Sequence, residues 1–274
     1  MTEPRQSDVE AAAAADPAGA SDRAPGASAP ASPRPPFRVG HKGADHIAPG
    51  NTFESFRAAV EAGVDMIEFD VLPECPDGTG RLLLAHDYED LAGREAVTLE
   101  EGLEHLAGAQ YGGIELDVDV KLPGYGGRVV AALREAGLSE RSLVSCTYPH
   151  ELARIRALDP ALRLGLSVPR VRRDYTEDRL MALPALGALA VMRQLLPRRV
   201  RAGLEARRFE AVMAHWRLVT PRLVEAVARG GGELFVWTVD DPSLMRTLLR
   251  RGVNGIITND PRLFAQAEPA GTAG

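Results

Sequence analysis

From residue 37 onward, short apolar runs are separated by stretches whose apolar positions recur every three or four residues. The first spacing belongs to strands and the second to helices, so the two element types alternate along the chain. Residues 37–41 make a first strand, and 52–62 a helix whose Phe53, Phe56, Ala59 and Val60 share a face, closed by Gly63. Residues 65–71 are the second strand, and 81–85 a further apolar one ending in His86 and Asp87. Thr98 caps a short helix over 99–106. Strand 114–120, helix 129–136, strand 143–146, helix 152–158 and strand 162–168 continue the series. After a break come strand 211–214, helix 222–228, strand 234–239, helix 244–250 and strand 255–258.

This alternation predicts an α/β protein with parallel strands. About eight repeats, with 81–85 as an extra strand, favour a closed TIM (β/α)8 barrel over the alternative of an open doubly wound sheet. Two stretches depart from the pattern. Residues 1–36 are rich in Ala, Pro, Ser and Gly without a burial pattern, which predicts a disordered low-complexity tail. Residues 170–208 are helical in flavour and carry Arg170, Arg172, Arg173, Arg193, Arg198, Arg199, Arg201, Arg207 and Arg208, an expanded βα connection. Its 180–196 portion reads either as an amphipathic helix resting on anionic lipid or as a solvated basic helix over the barrel mouth. The barrel then spans 37–267, and 268–274 is a flexible C-terminus.

Composition narrows the function. With 274 residues, 45% of them hydrophobic, the chain can fill a barrel, which takes about 250. A net charge of -6 argues against a nucleic-acid partner. Cys75 and Cys146 lie far apart and form no zinc or disulfide pattern. The most apolar stretch, 180–192, is short and contains Pro184, so no membrane span is expected. Glu3, Asp8 and Glu10 precede the alanine run where a secretory signal would be basic, which predicts a cytoplasmic protein. Oligomeric state is not written in the residues.

Candidate chemistry collects at expected strand ends. Strand 65–71 alternates Glu68 and Asp70 on one face with Ile67, Phe69 and Val71 on the other, and strand 114–120 repeats this with Asp117, Asp119 and Lys121. Neighbouring carboxylates repel and require a neutralising partner, either salt-bridging side chains or a cation. In a barrel the strand C-termini converge, bringing together His41, Glu68, Asp70, His86, Asp119, Lys121 and Trp237. Three carboxylates suit a hard dication such as Mg2+ or Ca2+, leaving two imidazoles for proton transfer near neutral pH. Asp117 lies deeper along its strand and reads as a buried polar contact. His46 and His215 read as exposed or packing histidines, and Trp237 as a ring that stacks on substrate.

Gly40-His41-Lys42-Gly43, Pro49-Gly50-Asn51-Thr52, the segment from Ala62 through Glu68-Phe69-Asp70, His86-Asp87, Trp237-Thr238-Val239, and Gly252 through Thr258-Asn259-Asp260-Pro261 occur in an order that resembles the glycerophosphodiester phosphodiesterases. The resemblance covers about residues 37–267. It implies a TIM barrel that hydrolyses glycerophosphodiesters to glycerol 3-phosphate and an alcohol with one divalent cation. By position it implies Glu68, Asp70 and Asp119 as metal ligands and His41 and His86 as the acid/base pair; apart from the resemblance, the charges of Lys42 and Lys121 and the strand-end place of Trp237 point these three toward substrate. Lysophospholipase D-type activity and a non-catalytic phosphodiester-binding barrel are the alternative readings. The chain departs from the family's pattern at Lys42 (usually Arg), Gly50 (usually Glu), Asp119 (usually Glu) and Asn259 (usually Asp). At position 42 a planar bidentate clamp becomes a point charge.

Overall fold

A computed structural model describes residues 35–170 and 182–267. In chain order its strands are β1 (Phe37–Gly40), β2 (Met66–Pro73), β3 (Leu82–Leu84), β4 (Glu115–Val120), β5 (Ser142–Cys146), β6 (Arg163–Val168), β7 (Ala211–His215), β8 (Glu233–Trp237) and β9 (Gly255–Thr258). Neighbours run β1-β9-β8-β7-β6-β5-β4-β2, and β1 also pairs with β2, so eight parallel strands close into a TIM barrel. The open-sheet alternative is thereby excluded. Outside the closure β3 lies antiparallel on β2, Leu72 opposite Leu83.

The helices are α1 (Phe53–Glu61), α2 (Tyr88–Ala92), α3 (Leu99–Leu106), α4 (Gly126–Glu135), α5 (Pro149–Leu158), α6 (Ala182–Glu205), α7 (Pro221–Arg229), α8 (Pro242–Arg250) and α9 (Leu263–Ala267). Local chemistry starts many of them. Thr52 and Thr98 form capping boxes with Ser55 and Glu101, and Asp241 accepts from the Leu244 N–H. The sequence pattern does not reveal α2, whose five residues are too few for a helical period; Asp87 starts it by accepting from the Glu89 and Asp90 N–H groups. β8 stops at Trp237, earlier than the expected strand over 234–239, although Val239 still donates to the Ile257 carbonyl. The expanded connection contains α6, a 24-residue helix. Residues 171–181, with Arg172 and Arg173, lie outside the described residues, as do 1–34 and 268–274, on which the tail and C-terminal readings fall.

Two apolar layers position the site. Outward-facing Ile67, Phe69 and Val71 of β2 join the core between barrel and helices, where Phe69 meets Phe56 of α1 at 5.8 Å between ring centroids. Inside the barrel Phe37, Val39, Met66, Leu143, Ala211, Met213, Phe235 and Ile257 pack together. Fully burying one of the larger of these side chains contributes about 1.5–3 kcal/mol. Gly165 leaves room for this packing, since a Cβ there would stand 2.9 Å from Leu143 Cδ2. Arg163, starting β6, forms ion pairs with Glu115 of β4 at 2.6 Å and Glu233 of β8 at 2.7 Å. These three side chains floor the barrel at the strand N-termini. The other end of the inner face, at the strand C-termini, carries the carboxylates Asp70 and Asp119.

Candidate active site

The β2–β4 register sets Glu68 opposite Asp117 and Asp70 opposite Asp119. Alternation then turns all four carboxyl groups to the barrel interior. One oxygen each from Glu68, Asp70 and Asp119 lies within 4.8 Å of the others. Glu68 and Asp70 are buried and Asp119 half-buried. Lys121 continues the same face of the chain, and its Nζ donates to Asp70 Oδ1 at 3.0 Å and Asp119 Oδ2 at 2.9 Å. Asp119 Oδ1 is buried without a hydrogen-bond partner. An orphaned carboxylate oxygen within an all-oxygen donor set is the arrangement a hard dication satisfies, so these three residues fit such an ion.

The charges are unevenly shared. Burial, reinforced by Asp70, Asp117 and Asp119, raises the Glu68 carboxyl well above the usual range. Burial acts the same way on Asp70, but Lys121, the imidazoles of His86 and His41, and Asn51 outweigh it and hold that carboxyl far below the usual range. Asp117, one step deeper, is pushed up to about 8, chiefly by burial. Burial opposes the charge on Lys121, yet Asp119 and Asp70 raise its pKa well above the ordinary value.

The β1–α1 loop wraps around Glu68. The Lys42 N–H donates to Glu68 Oε2 at 2.8 Å, and the Gly43 N–H donates to the Glu68 carbonyl at 3.1 Å. Gly43 sits at φ +86°, and a Cβ there would lie 2.6 Å from the Ser55 hydroxyl, so this turn requires glycine. The Lys42 ammonium rests 3.2 Å from Asp45 Oδ2. Asp45 also accepts the Gly50 N–H at 2.8 Å, and a Cβ on Gly50 would collide with it at 2.5 Å. The Lys42 and Gly50 departures thus meet at one side chain, Asp45.

His41 follows β1 directly. Its Nε2 stands 3.9 Å from Glu68 Oε2 and its Nδ1 2.6 Å from Asn259 Oδ1. Burial lowers the His41 pKa below its ordinary value. His86 sits at the rim, its side chain 45% exposed and Nδ1 2.9 Å from Asp87 Oδ2. It still acts electrostatically on Asp70. Trp237 ends β8, and the partners described for it are the Met213 carbonyl, which takes its N–H at 2.9 Å, and the His215 ring, edge-on at 5.1 Å. The site therefore gathers His41, Glu68, Asp70, Asp119 and Lys121, with Lys42, His86 and Trp237 around it. His46 is exposed. Cys146 is buried, its thiol pushed up to about 12, chiefly by that burial.

Sequence reasoning left three polar supports unassigned. Asn51, fully buried, donates to Asp70 Oδ2 and accepts the Asp70 N–H, both at 3.0 Å. Asn259 and Asp240 stand behind His41. The signal for Asn51 was its place in Pro49-Gly50-Asn51-Thr52; nothing local marks Asp240.

A closed (β/α)8 barrel with clustered carboxylates, a lysine and histidines at its C-terminal mouth carries its ionisable groups where enzymes of this fold place their active sites. The model of the glycerophosphoryl diester phosphodiesterase family matches residues 41–72 and 101–263, and the chain belongs to that family. A glycerophosphodiester phosphodiesterase of Caldanaerobacter subterraneus is 26% identical over 257 residues, 81% of this chain and 93% of that protein. An Arabidopsis thaliana glycerophosphodiester phosphodiesterase is 25% identical over 250 residues, 84% of this chain and 72% of that protein. Among solved structures, an Oleispira antarctica phosphodiesterase in complex with the product sn-glycerol-3-phosphate superposes with a TM-score of 0.59 at 20% identity, covering 84% of this chain and 95% of that one. That likeness shows the shared fold. No helix among the described residues is long and apolar enough to cross a membrane.

Proposed function

We propose that this chain hydrolyses glycerophosphodiesters to glycerol 3-phosphate and an alcohol, using one divalent cation and a pair of histidines. The observation that carries the reading is the convergence of Glu68, Asp70 and Asp119 oxygens within 4.8 Å, with Asp119 Oδ1 unpaired, beside His41 at the barrel mouth. Those three residues would hold the cation, Mg2+ or Ca2+, which when bound supplies neutralisation of the phosphodiester's charge. Lys121 adds a second positive charge at the same place, and Lys42 a third at its edge, so charge developing on the phosphoryl oxygens meets fixed countercharge. His41 and His86 divide the proton transfers, one taking the proton from the attacking oxygen and the other supplying the leaving alkoxide. The bond from phosphorus to the alcohol breaks while one from phosphorus to the attacking oxygen forms. Trp237, its N–H already engaged, offers its ring face to the glycerol.

The test is release of choline from glycerophosphocholine, abolished by chelation and restored by Mg2+ or Ca2+. Binding without release would instead assign a non-catalytic phosphodiester-binding barrel. A lysophospholipid is the second substrate reading, favoured by Leu186, Val191 and Leu195 of α6, which face solvent in the expanded connection. Faster release from lysophosphatidylcholine than from glycerophosphocholine would select it.

A further inference from the structure

A neutral imidazole carries one N–H, and only its bare nitrogen can accept a proton. The nitrogen left bare is set by what the other one contacts. His41 Nδ1 faces Asn259 Oδ1 at 2.6 Å. An amide can present either its oxygen or its NH2 group, so the contact assigns a tautomer only if the amide cannot turn over. Here it cannot. Asn259 Nδ2 donates to Asp240 Oδ2 at 2.7 Å, the oxygen of a carboxylate that already accepts two other hydrogen bonds. Asp240 is itself held, its Oδ1 accepting the Asn259 backbone N–H and the Thr258 hydroxyl, each at 2.8 Å.

The backbone brings the same segments together. The His41 N–H donates to the Thr258 carbonyl at 2.8 Å, and the His46 N–H to the Asn259 carbonyl at 3.0 Å. Ring, amide and carboxylate thus form a directed chain across the ends of β1, β8 and β9. Moving the ring proton to Nε2 would set two acceptors against each other, and turning the amide would set two donors against each other at His41 and two acceptors at Asp240. The far end of the chain is Nε2, 3.9 Å from Glu68 Oε2 at the acid cluster.

We propose that Asn259, oriented by Asp240, is a positioning residue that fixes His41 as the Nδ1–H tautomer and makes Nε2 the nitrogen through which His41 exchanges protons. This deepens the phosphodiesterase reading and rests on it for its kinetic consequence. The tautomer itself is independent of substrate. Where the family usually carries Asp, this chain keeps an acceptor toward His41 at Asn259 and places a carboxyl group behind it, that of Asp240, 19 positions earlier in the chain.

The experiment records long-range 1H–15N spectra of the metal-free, 15N-histidine-labelled protein, with the His41 signal assigned by its loss in His41→Gln. The expected pattern is a protonated Nδ1 and a bare Nε2. Asn259→Leu removes the acceptor and shifts the population toward Nε2–H. Asp240→Asn frees the amide to turn and yields a mixture. The double variant Asp240→Asn with Asn259→Asp restores a donor facing an acceptor, and with it the single tautomer. In turnover of glycerophosphocholine, Asn259→Leu lowers kcat at least about tenfold with KM nearly unchanged, and the double variant recovers it. A wild-type protein bearing its proton on Nε2, an unaltered tautomer in Asn259→Leu, or a double variant that fails to restore the signature would overturn the proposal. Absence of turnover on any glycerophosphodiester would refute the phosphodiesterase reading and leave the spectra to decide this one.

Discussion

Asn51 offers a direct measure of how strongly the protein invests in orienting Asp70. It is fully buried at φ 59°, in the left-handed region that Asn tolerates and most residues avoid. Replacing it by Gly keeps that backbone conformation accessible and removes both hydrogen bonds to Asp70, each 3.0 Å long. The bond to the carboxylate is worth about 1.5–3 kcal/mol and the stranded, buried Asp70 N–H costs about 1–3 kcal/mol, so the expected loss is about 2.5–6 kcal/mol. Asn51→Ala loses the same bonds and adds a left-handed backbone penalty of about 1–2 kcal/mol, partly offset because Gly loosens the unfolded chain by about 0.4–1 kcal/mol. Ala should therefore be the less stable of the two by about 1 kcal/mol. Urea melts of the metal-free proteins at constant m report both differences as midpoint shifts. Calorimetric titration should show Mg2+ or Ca2+ binding weakened about 10–100-fold in the Gly variant. A Gly variant within about 1 kcal/mol of wild type, or an Ala variant as stable as Gly, would refute the reasoning.

Asp117 keeps its proton in the folded state up to about pH 8 but releases it near 3.8 when unfolded, so the folded state binds more protons across that window. Stability of the metal-free protein should fall as pH rises through it, and Asp117→Asn should flatten the slope in melts run near pH 5 and near pH 8; an equal slope in both proteins would contradict the assignment. Arg163→Met removes the ion pairs to Glu115 and Glu233 at the barrel floor and should cost about 1–3 kcal/mol by thermal melts, because the site is half-buried rather than exposed. A melting temperature at or above wild type would show that the floor does not need the charge. His41→Ala and His86→Ala should each remove most turnover of glycerophosphocholine while circular dichroism stays unchanged; near-normal activity in either variant excludes that residue from the proton transfers.

The barrel was legible because its two periods are local. The step between residues 67 and 71 that places Ile67, Phe69 and Val71 outward must turn Glu68 and Asp70 inward, whatever the rest of the chain does. Glycines at turns and threonines at helix starts add punctuation that needs no knowledge of partners, as at Thr98. Elements too short to show a period escaped, as α2 did, and strand ends shifted by a residue or two because a ladder ends where its neighbour does.

The site divides along the same line. The linear pattern was enough to nominate Glu68, Asp70, Asp119, Lys121 and His41, since in a parallel barrel every strand end reaches the same mouth. Which oxygen stays unpaired, which carboxyl keeps its proton, and which way an amide faces depend on groups far apart in the chain. Asn51 meets Asp70 across 19 positions, and His41 meets Asn259 across 218. A side chain's period is inherited from its own backbone, whereas its hydrogen-bond partner and its dielectric surroundings exist only after closure has brought distant segments within about 3 Å.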